Sequence, residues 1–306
     1  MKGMKTIISL FIILFIKLIP AYNQDVIPLW KPGEMPNDNG KQVSDSIANE
    51  RVFRVAQPQI LAYFPSKAEN KRVAVLIIPG GGYVRLSHII SGTQLAKWFN
   101  TFGVNAFVLL HRMPQAPNVI DSRYAPIQDA QRALRYIRAH AQEWGIDTDK
   151  IGVMGVSAGG HLASTLGTHL KDYAKAGDEL DTISFRPNFM LLISPVITMG
   201  KYAHQGSKLN LLGEKPSEVD IQSFSNELQV TEQTPPTFLV HAFNDKSVPV
   251  NNSLLFAQAL VEKGVSTSLH VFPQGAHKIE LRNNPGSTNS WTTLCEEWLM
   301  EMGFLK

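Results

Sequence analysis

The chain has 306 residues, 44% of them hydrophobic and 18% charged, a composition typical of a folded globular protein rather than a disordered one. A single cysteine, Cys295, excludes a scaffold of intrachain disulfides. The net charge of +3 arises from three lysines within residues 1–24, and the remainder carries 26 basic and 26 acidic side chains, which argues against a nucleic-acid partner.

Residues 1–24 have the layout of a secretory signal peptide. Two lysines precede an apolar run over residues 7–16, and a small residue, Ala21, follows it. A membrane-spanning helix needs about 20 apolar residues, whereas Lys17 interrupts this run after ten. We therefore predict export to the periplasm or the extracellular space, with no stable membrane anchor and with the cleavage position left open.

Residues 25–51 are rich in proline, glycine, asparagine and aspartate, which predicts an irregular lead-in. Beyond it, short apolar runs with the β-branched content of buried strands recur along the chain. They lack polar alternation, as expected for strands that are covered on both faces. The predicted strands are residues 60–64, 73–78, 106–110, 151–156, 189–193, 238–240 and 268–272.

Segments with helical periodicity lie between these strands. In residues 127–144, for example, Ala130, Leu134 and Ile137 line one face of a helix, and arginines occupy the other. Alternating strands and helices predict an α/β fold, with a mainly parallel central sheet and helices on both faces, in a single domain over residues 52–306. The predicted helices are residues 127–144, 158–170, 253–263 and 290–300.

One stretch, residues 197–236, interrupts the alternation with short helical segments between two predicted strands. Open α/β sheets bind ligands beyond the carboxyl ends of their strands, so this insertion is a candidate partial lid over a site. Its composition fits a plain surface excursion equally well.

A candidate nucleophile follows the predicted strand 151–156. There Ser157 is the centre of a G-x-S-x-G motif between a strand and a helix, the context in which such a serine acts as a nucleophile. Gly155 and Gly159 leave room for the neighbouring elements at this tight turn. The alternative is a glycine-rich turn that only packs helix on strand, but chance gives about 0.1 such motifs in a chain of this length.

A serine hydroxyl needs a histidine to accept its proton and a carboxylate to fix the tautomer of that histidine. His277 follows the last predicted strand in the turn PQGAHK, and Asp245 follows the strand 238–240 in a polar turn. The chain order Ser157, Asp245, His277 is the order expected with a G-x-S-x-G turn, although an aspartate in a turn is more often only a turn former. The histidines interpreted as packing, surface or structural residues are His161, His169, His270 and His241, the last of which could also shape the site.

Three successive glycines in PGGGY, residues 79–83, come directly after the strand 73–78. Lacking Cβ atoms, they allow main-chain N–H groups to face a ligand. We predict an oxyanion hole formed by the N–H groups of Gly81, Gly82 and Ala158, the last at a helix start whose dipole favours negative charge. A phosphate-binding loop is disfavoured because neither of its glycine spacings occurs. No cofactor or metal site is predicted, since the chain has neither H-E-x-x-H nor a cysteine pair.

With these residues placed, the chain resembles an α/β-hydrolase from about residue 52 onward, and PGGGY is similar to the HGGG-type oxyanion loop of esterases and lipases. More narrowly, it resembles bacterial secreted acetyl xylan esterase-like enzymes in the runs RVAVLIIPGGGY, YAPIQDAQRALRYIRAHAQEWGID, IGVMGVSAGGHLASTLGTH and PPTFLVHAFNDKSVPV. This resemblance implies removal of acetyl, and sometimes feruloyl, groups from plant polysaccharide, with an acylated carbohydrate as partner. The chain departs from the pattern in lacking an acidic H-E-G-E stretch after the oxyanion loop and in having Gly275-Ala276-His277-Lys278 for a G-G-H-G-F-like turn.

The leading hypothesis is therefore a secreted serine esterase that hydrolyses short acyl esters, in particular acetyl esters, on plant polysaccharides or oligosaccharides such as acetylated xylan. A serine peptidase related to the prolyl oligopeptidases is an alternative, although the chain has no room for the large gating domain of those enzymes. A hydrolase-like binding module without catalysis is a further alternative, against which the complete set of Ser157, Asp245 and His277 argues.

Overall fold

The computed structural model describes residues 25–306, so the predicted signal peptide lies outside the described residues and stays a prediction. Within them, the strands are β1 (Asp25–Pro28), β2 (Ser46–Ala48), β3 (Arg51–Arg54), β4 (Gln59–Tyr63), β5 (Ala74–Ile78), β6 (Asn105–Leu110), β7 (Ile151–Val156), β8 (Met190–Ile193), β9 (Thr237–Ala242) and β10 (Thr267–Phe272).

Eight of these strands form one sheet in the order β1-β4-β6-β5-β7-β8-β9-β10, and β2 and β3 pair separately. The sheet is parallel from β6 to β10, and β4 and β1 extend its β6 edge in antiparallel orientation. Alternate residues of β5 point to opposite sides, Val75 and Ile77 into one apolar core and Leu76 and Ile78 into the other. The sheet is thus covered on both faces, which explains why its strands have no polar alternation.

Helices cover the two faces of the sheet. They are α1 (Gln94–Asn100), α2 (Ala125–Ala139), α3 (Ala158–Thr168), α4 (Gln205–Leu212), α5 (Glu218–Ser223), α6 (Asn251–Glu262) and α7 (Trp291–Glu301). Residues of α2, α3 and α6 contribute to the core on one face, and residues of α1 and α7 contribute to the core on the other. This arrangement confirms the predicted α/β fold with a mainly parallel sheet.

The structure corrects two local predictions. Residues 25–51 are not an irregular lead-in throughout, because β1 pairs with β4 and β2 lies in this segment. Pro28 is tolerated in β1 because, within residues 25–306, that strand is the outermost of the sheet and no further strand requires the missing N–H group of the proline. The helix predicted over 127–144 ends at Ala139, since the apolar spacing continues into a turn whose Trp144 packs on Phe107 with 5.1 Å between ring centroids.

Several loops lie close together at the carboxyl ends of the parallel strands. The segment after β5 carries the three glycines, the turn after β7 carries Ser157, and the loops after β9 and β10 carry Asp245 and His277. Since parallel strands end at the same edge, loops from distant parts of the chain meet there. No helix within residues 25–306 is both long and apolar enough to cross a membrane.

Candidate active site

Ser157 lies at the junction of β7 and α3 with an unusual backbone conformation, φ 55° and ψ −121°. This left-handed conformation costs free energy for a residue with a Cβ, and it turns the side chain away from both the strand and the helix. Gly159 is required by close packing, because a Cβ there would collide with the carbonyl oxygen of Ile78. The serine N–H donates to the carbonyl of Ile193 in β8 over 3.0 Å, which fixes the turn to the neighbouring strand.

His277 connects the serine to the aspartate. Its Nε2 lies 2.8 Å from Ser157 Oγ, and its Nδ1 lies 2.6 Å from Asp245 Oδ2. The backbone N–H of Ala276 donates to Asn244 Oδ1 over 2.8 Å, so the two loops that carry the histidine and the aspartate are also bonded to each other. The structure therefore brings together the three side chains that the sequence predicts as nucleophile, acid and base.

Asp245 has a fully buried side chain. Its Oδ1 accepts hydrogen bonds from the backbone N–H groups of Ser247 and Val248, each over 2.9 Å. Burial opposes ionisation, but hydrogen bonds from His241, His277 and the Val248 N–H outweigh it and lower the pKa of Asp245. The carboxylate is therefore charged at neutral pH, the state that holds a proton on His277 Nδ1.

His241, at the end of β9, supports this aspartate. Its Nε2–H donates to the carbonyl of Val248 over 2.9 Å and lies 3.4 Å from Asp245 Oδ2, while its Nδ1 lies 2.7 Å from Ser253 Oγ. The imidazole thus ties the strand, the aspartate turn and α6 together. It has both of the roles considered from the sequence, since it is a buried structural residue that also shapes the site.

The glycine loop packs directly against the serine turn. Gly81 has φ 145°, and a Cβ there would collide with the carbonyl oxygen of Arg85, so only glycine fits this turn. Within residues 25–306, the N–H groups of Gly81, Gly82 and Ala158 donate to no protein group. Gly81 and Gly82 line the cavity beside Ser157, so their N–H groups are available to a ligand, whereas Ala158 is buried at the start of α3.

Tyr83 and His161 anchor the glycine loop, a role that was not predicted from the sequence. Tyr83 follows the glycines with φ 60°, and its hydroxyl donates to His161 Nδ1 over 2.9 Å. His161 Nε2–H donates in turn to the carbonyl of Phe224 over 2.8 Å. Burial lowers the pKa of His161 to about 4, so its ring is neutral and this bonding pattern is fixed. No sequence motif marks the pair, since its members are 78 residues apart.

A cavity of about 540 Å³ opens beside Ser157 and His277. Three residues of the 197–236 insertion, His204, Gly206 and Asn210, line it. These three residues were not predicted from the sequence, in which their one signal is the position of the insertion after a parallel strand. Among the described residues, no group of three or more His, Cys, Asp and Glu side chains is arranged to hold a metal ion.

An α/β-hydrolase is defined by a mainly parallel sheet with a strained serine after a central strand. The serine bonds a histidine, which in turn bonds an aspartate, and both come from later loops. The BD-FAE family matches residues 61–260, and the chain belongs to this family. The resemblance to α/β-hydrolases of the acetyl xylan esterase type, stated from the sequence, is thereby confirmed.

Known proteins with similar sequences or structures include two xylan-related enzymes and one solved hydrolase. Endo-1,4-β-xylanase B of Butyrivibrio fibrisolvens is 36% identical over 274 residues, which are 88% of this chain and 42% of the relative. The acetylxylan esterase of Xylanibacter ruminicola is 32% identical over 225 residues, 72% of this chain and 43% of the relative. The acetyl ester-xyloside bifunctional hydrolase of Caldicellulosiruptor lactoaceticus has a TM-score of 0.79 at 37% identity, with 92% of this chain and 98% of that one covered. The chain thus spans less than half the length of the two curated relatives.

Proposed function

We propose that the protein is a serine esterase that removes acetyl groups from xylan or its oligosaccharides. The observation that carries the proposal is the position of His277, which lies within hydrogen-bond distance of both Ser157 and Asp245. The names of an acetylxylan esterase and an acetyl ester-xyloside hydrolase among the similar proteins support the substrate class.

In the proposed reaction, Ser157 Oγ attacks the ester carbonyl while its proton passes to His277 Nε2. The carbonyl oxygen becomes an oxyanion, for which the N–H groups of Gly81, Gly82 and Ala158 are the proposed donors. Collapse of this intermediate breaks the bond to the sugar oxygen, which takes the proton from His277 and leaves an acetyl-serine. Water then attacks the acetyl-serine with His277 as the base, which releases acetate and restores the serine hydroxyl.

Asp245 supports both steps through the tautomer of the histidine. With the carboxylate ionised, the imidazole proton stays on Nδ1, and Nε2 is left free to accept the serine proton. The same carboxylate stabilises the imidazolium that forms after transfer. His241 and the two backbone donors keep the carboxylate in place, because each bonds the turn that carries it.

Replacement of the serine tests this mechanism. Ser157→Ala is expected to lower kcat on 4-nitrophenyl acetate and on an acetylated xylooligosaccharide by at least about a thousandfold, since only binding and oxyanion effects remain. Ser66→Ala is the matched control, because Ser66 is exposed and its hydroxyl makes no hydrogen bond within residues 25–306. Near-normal turnover in Ser157→Ala, with an unchanged melting temperature, would refute the proposal.

The same preparation can separate the other hypotheses. A fluorophosphonate is expected to label Ser157 in the unmodified protein and not in Ser157→Ala, which a binding module without catalysis would not show. Faster cleavage of a dipeptide amide than of the acetylated xylooligosaccharide would instead indicate a peptidase.

A further inference from the structure

His204 is a second histidine in the cavity that contains Ser157 and His277. It immediately precedes α4, and its side chain caps that helix by accepting a hydrogen bond from the backbone N–H of Ser207. The ring lies beside the glycine loop, with Cε1 3.7 Å from the position that a Cβ on Gly82 would occupy. The imidazole is therefore held between its own helix and the glycine loop.

The capping hydrogen bond fixes the tautomer of His204. The N–H of Ser207 donates to Nδ1 over 3.1 Å, and a ring nitrogen that accepts from an N–H group carries no proton. Burial lowers the pKa of His204, and the nearby His277 lowers it further, against an opposing effect of Asp245. The ring is therefore neutral at pH 7, with its single proton on Nε2.

That Nε2–H group is available to a ligand. Within residues 25–306 it has no hydrogen-bond partner. The nitrogen is not fully buried, so a ligand can reach it. A donor without a protein partner at the wall of a cavity is a group that a bound molecule can satisfy.

The proposed function limits which atom of the substrate can accept a hydrogen bond from His204 Nε2–H. In the proposed mechanism, the carbonyl oxygen accepts hydrogen bonds from the three backbone N–H groups, and the bridging ester oxygen receives its proton from His277. The acetyl methyl group accepts no hydrogen bond. The acceptors that remain are the hydroxyl and ring oxygens of the sugar.

We propose that His204 Nε2–H donates a hydrogen bond to a hydroxyl or ring oxygen of the saccharide that carries the acyl group. This inference rests on the proposed esterase function and adds a specificity residue to it. It assigns recognition of the alcohol part of the ester to the 197–236 insertion, which supplies His204 and the helix that it caps.

His204→Asn separates the two roles of this side chain. Asparagine is a favoured helix-capping residue, so its amide oxygen can still accept from Ser207 N–H, but the shorter side chain does not reach as far into the cavity. The measurement is kcat/KM on an acetylated xylooligosaccharide and on 4-nitrophenyl acetate, whose alcohol part has no hydroxyl group. We expect about a tenfold loss on the saccharide ester, at least about fivefold greater than the loss on 4-nitrophenyl acetate.

Equal losses on the two esters, or no loss on the saccharide ester, would overturn the assignment of His204. Equal losses would place its effect on the glycine loop or the capped helix instead. The unmodified protein distinguishes this failure from that of the proposed function. If the unmodified protein cleaves neither ester, the proposed esterase function is refuted. If it cleaves both and Ser157→Ala abolishes the cleavage, the esterase function is supported, whatever the result for His204→Asn.

Discussion

Two regions of the molecule meet at the cavity, and they are built differently. The turns that hold Ser157 and Asp245 leave strands β7 and β9, which are buried almost throughout, and the aspartate side chain is itself fully buried. In the 197–236 insertion, α5 has no buried residue, and α4 has only Ser207, Leu211 and Leu212. Dense packing can hold reacting atoms to fractions of an ångström. A partly exposed insertion can vary without disturbing the sheet. We infer that the loops at the carboxyl ends of the parallel strands supply the catalytic residues, and that the insertion supplies contacts to the substrate.

His161 joins the two regions. It lies on α3, four residues after the proposed nucleophile, and bonds Tyr83 of the glycine loop on one side and the Phe224 carbonyl of the insertion on the other. Asn226 Nδ2 adds a hydrogen bond of 3.0 Å to the carbonyl of His161. The insertion is therefore tied to the helix that begins at the serine, although its helix α5 has no buried residue.

The largest effect on activity is expected in the loops at the carboxyl ends of the strands, from Asp245→Asn. The amide oxygen can still accept from the two backbone N–H groups, so its NH2 group would face His277 Nδ1. Nδ1 would then have to accept, which moves the imidazole proton to Nε2 and prevents that atom from taking the serine proton. We expect kcat on 4-nitrophenyl acetate to fall by about ten-thousandfold.

The control for this change is Asp220→Asn, an isosteric replacement of an aspartate in α5 of the insertion that is paired with Arg123. We expect its kcat to stay within about twofold of the unmodified protein, because surface ion pairs contribute little. If Asp245→Asn retained more than a tenth of the original activity, the aspartate would not set the histidine tautomer, and the contrast between the two regions would weaken.

An intermediate effect is expected on stability, from the residue that joins the regions. Folded His161 binds a proton only near pH 4, whereas the unfolded chain binds one near the ordinary value of 6.5. Acidification between these values therefore favours the unfolded state, and stability is lost as the pH falls. From pH 7 to pH 5 this residue is expected to lower the free energy of unfolding by about 2 kcal/mol.

Urea unfolding of the protein and of His161→Gln at both pH values checks this expectation. Glutamine does not titrate, so the variant should show a smaller loss between pH 7 and pH 5 by about that amount. Another buried histidine with a lowered pKa, His111, is present in both proteins, and its contribution cancels in the difference. The same pH dependence in both proteins would show that His161 is not buried neutral at this junction.

The residues in the loops at the carboxyl ends of the strands can be located from the sequence, whereas those of the insertion cannot, and the reason is physical. Ser157 and the glycines of residues 79–83 lie in short motifs whose backbone strain or close packing demands particular residues locally. His204 and Tyr83 acquire their places only from contacts between segments far apart in the chain, which no local pattern encodes. The edge strand β1 escaped prediction for the same reason, since its pairing with β4 spans more than 30 residues.

The smallest effect is expected from Asn210→Ala in the insertion. Asn210 Nδ2 donates to the carbonyl of Gly82 over 2.8 Å and so braces the glycine loop from α4. Its loss should let the proposed oxyanion donors move, which costs about 1 kcal/mol and lowers kcat about fivefold. Because the bond acts on the loop and not on the sugar, the loss should be equal on the saccharide ester and on 4-nitrophenyl acetate, unlike that of His204→Asn. Lys208→Ala, on the same helix, is the control. A loss confined to the saccharide ester would mean that Asn210 contacts substrate, and α4 would then have no bracing role.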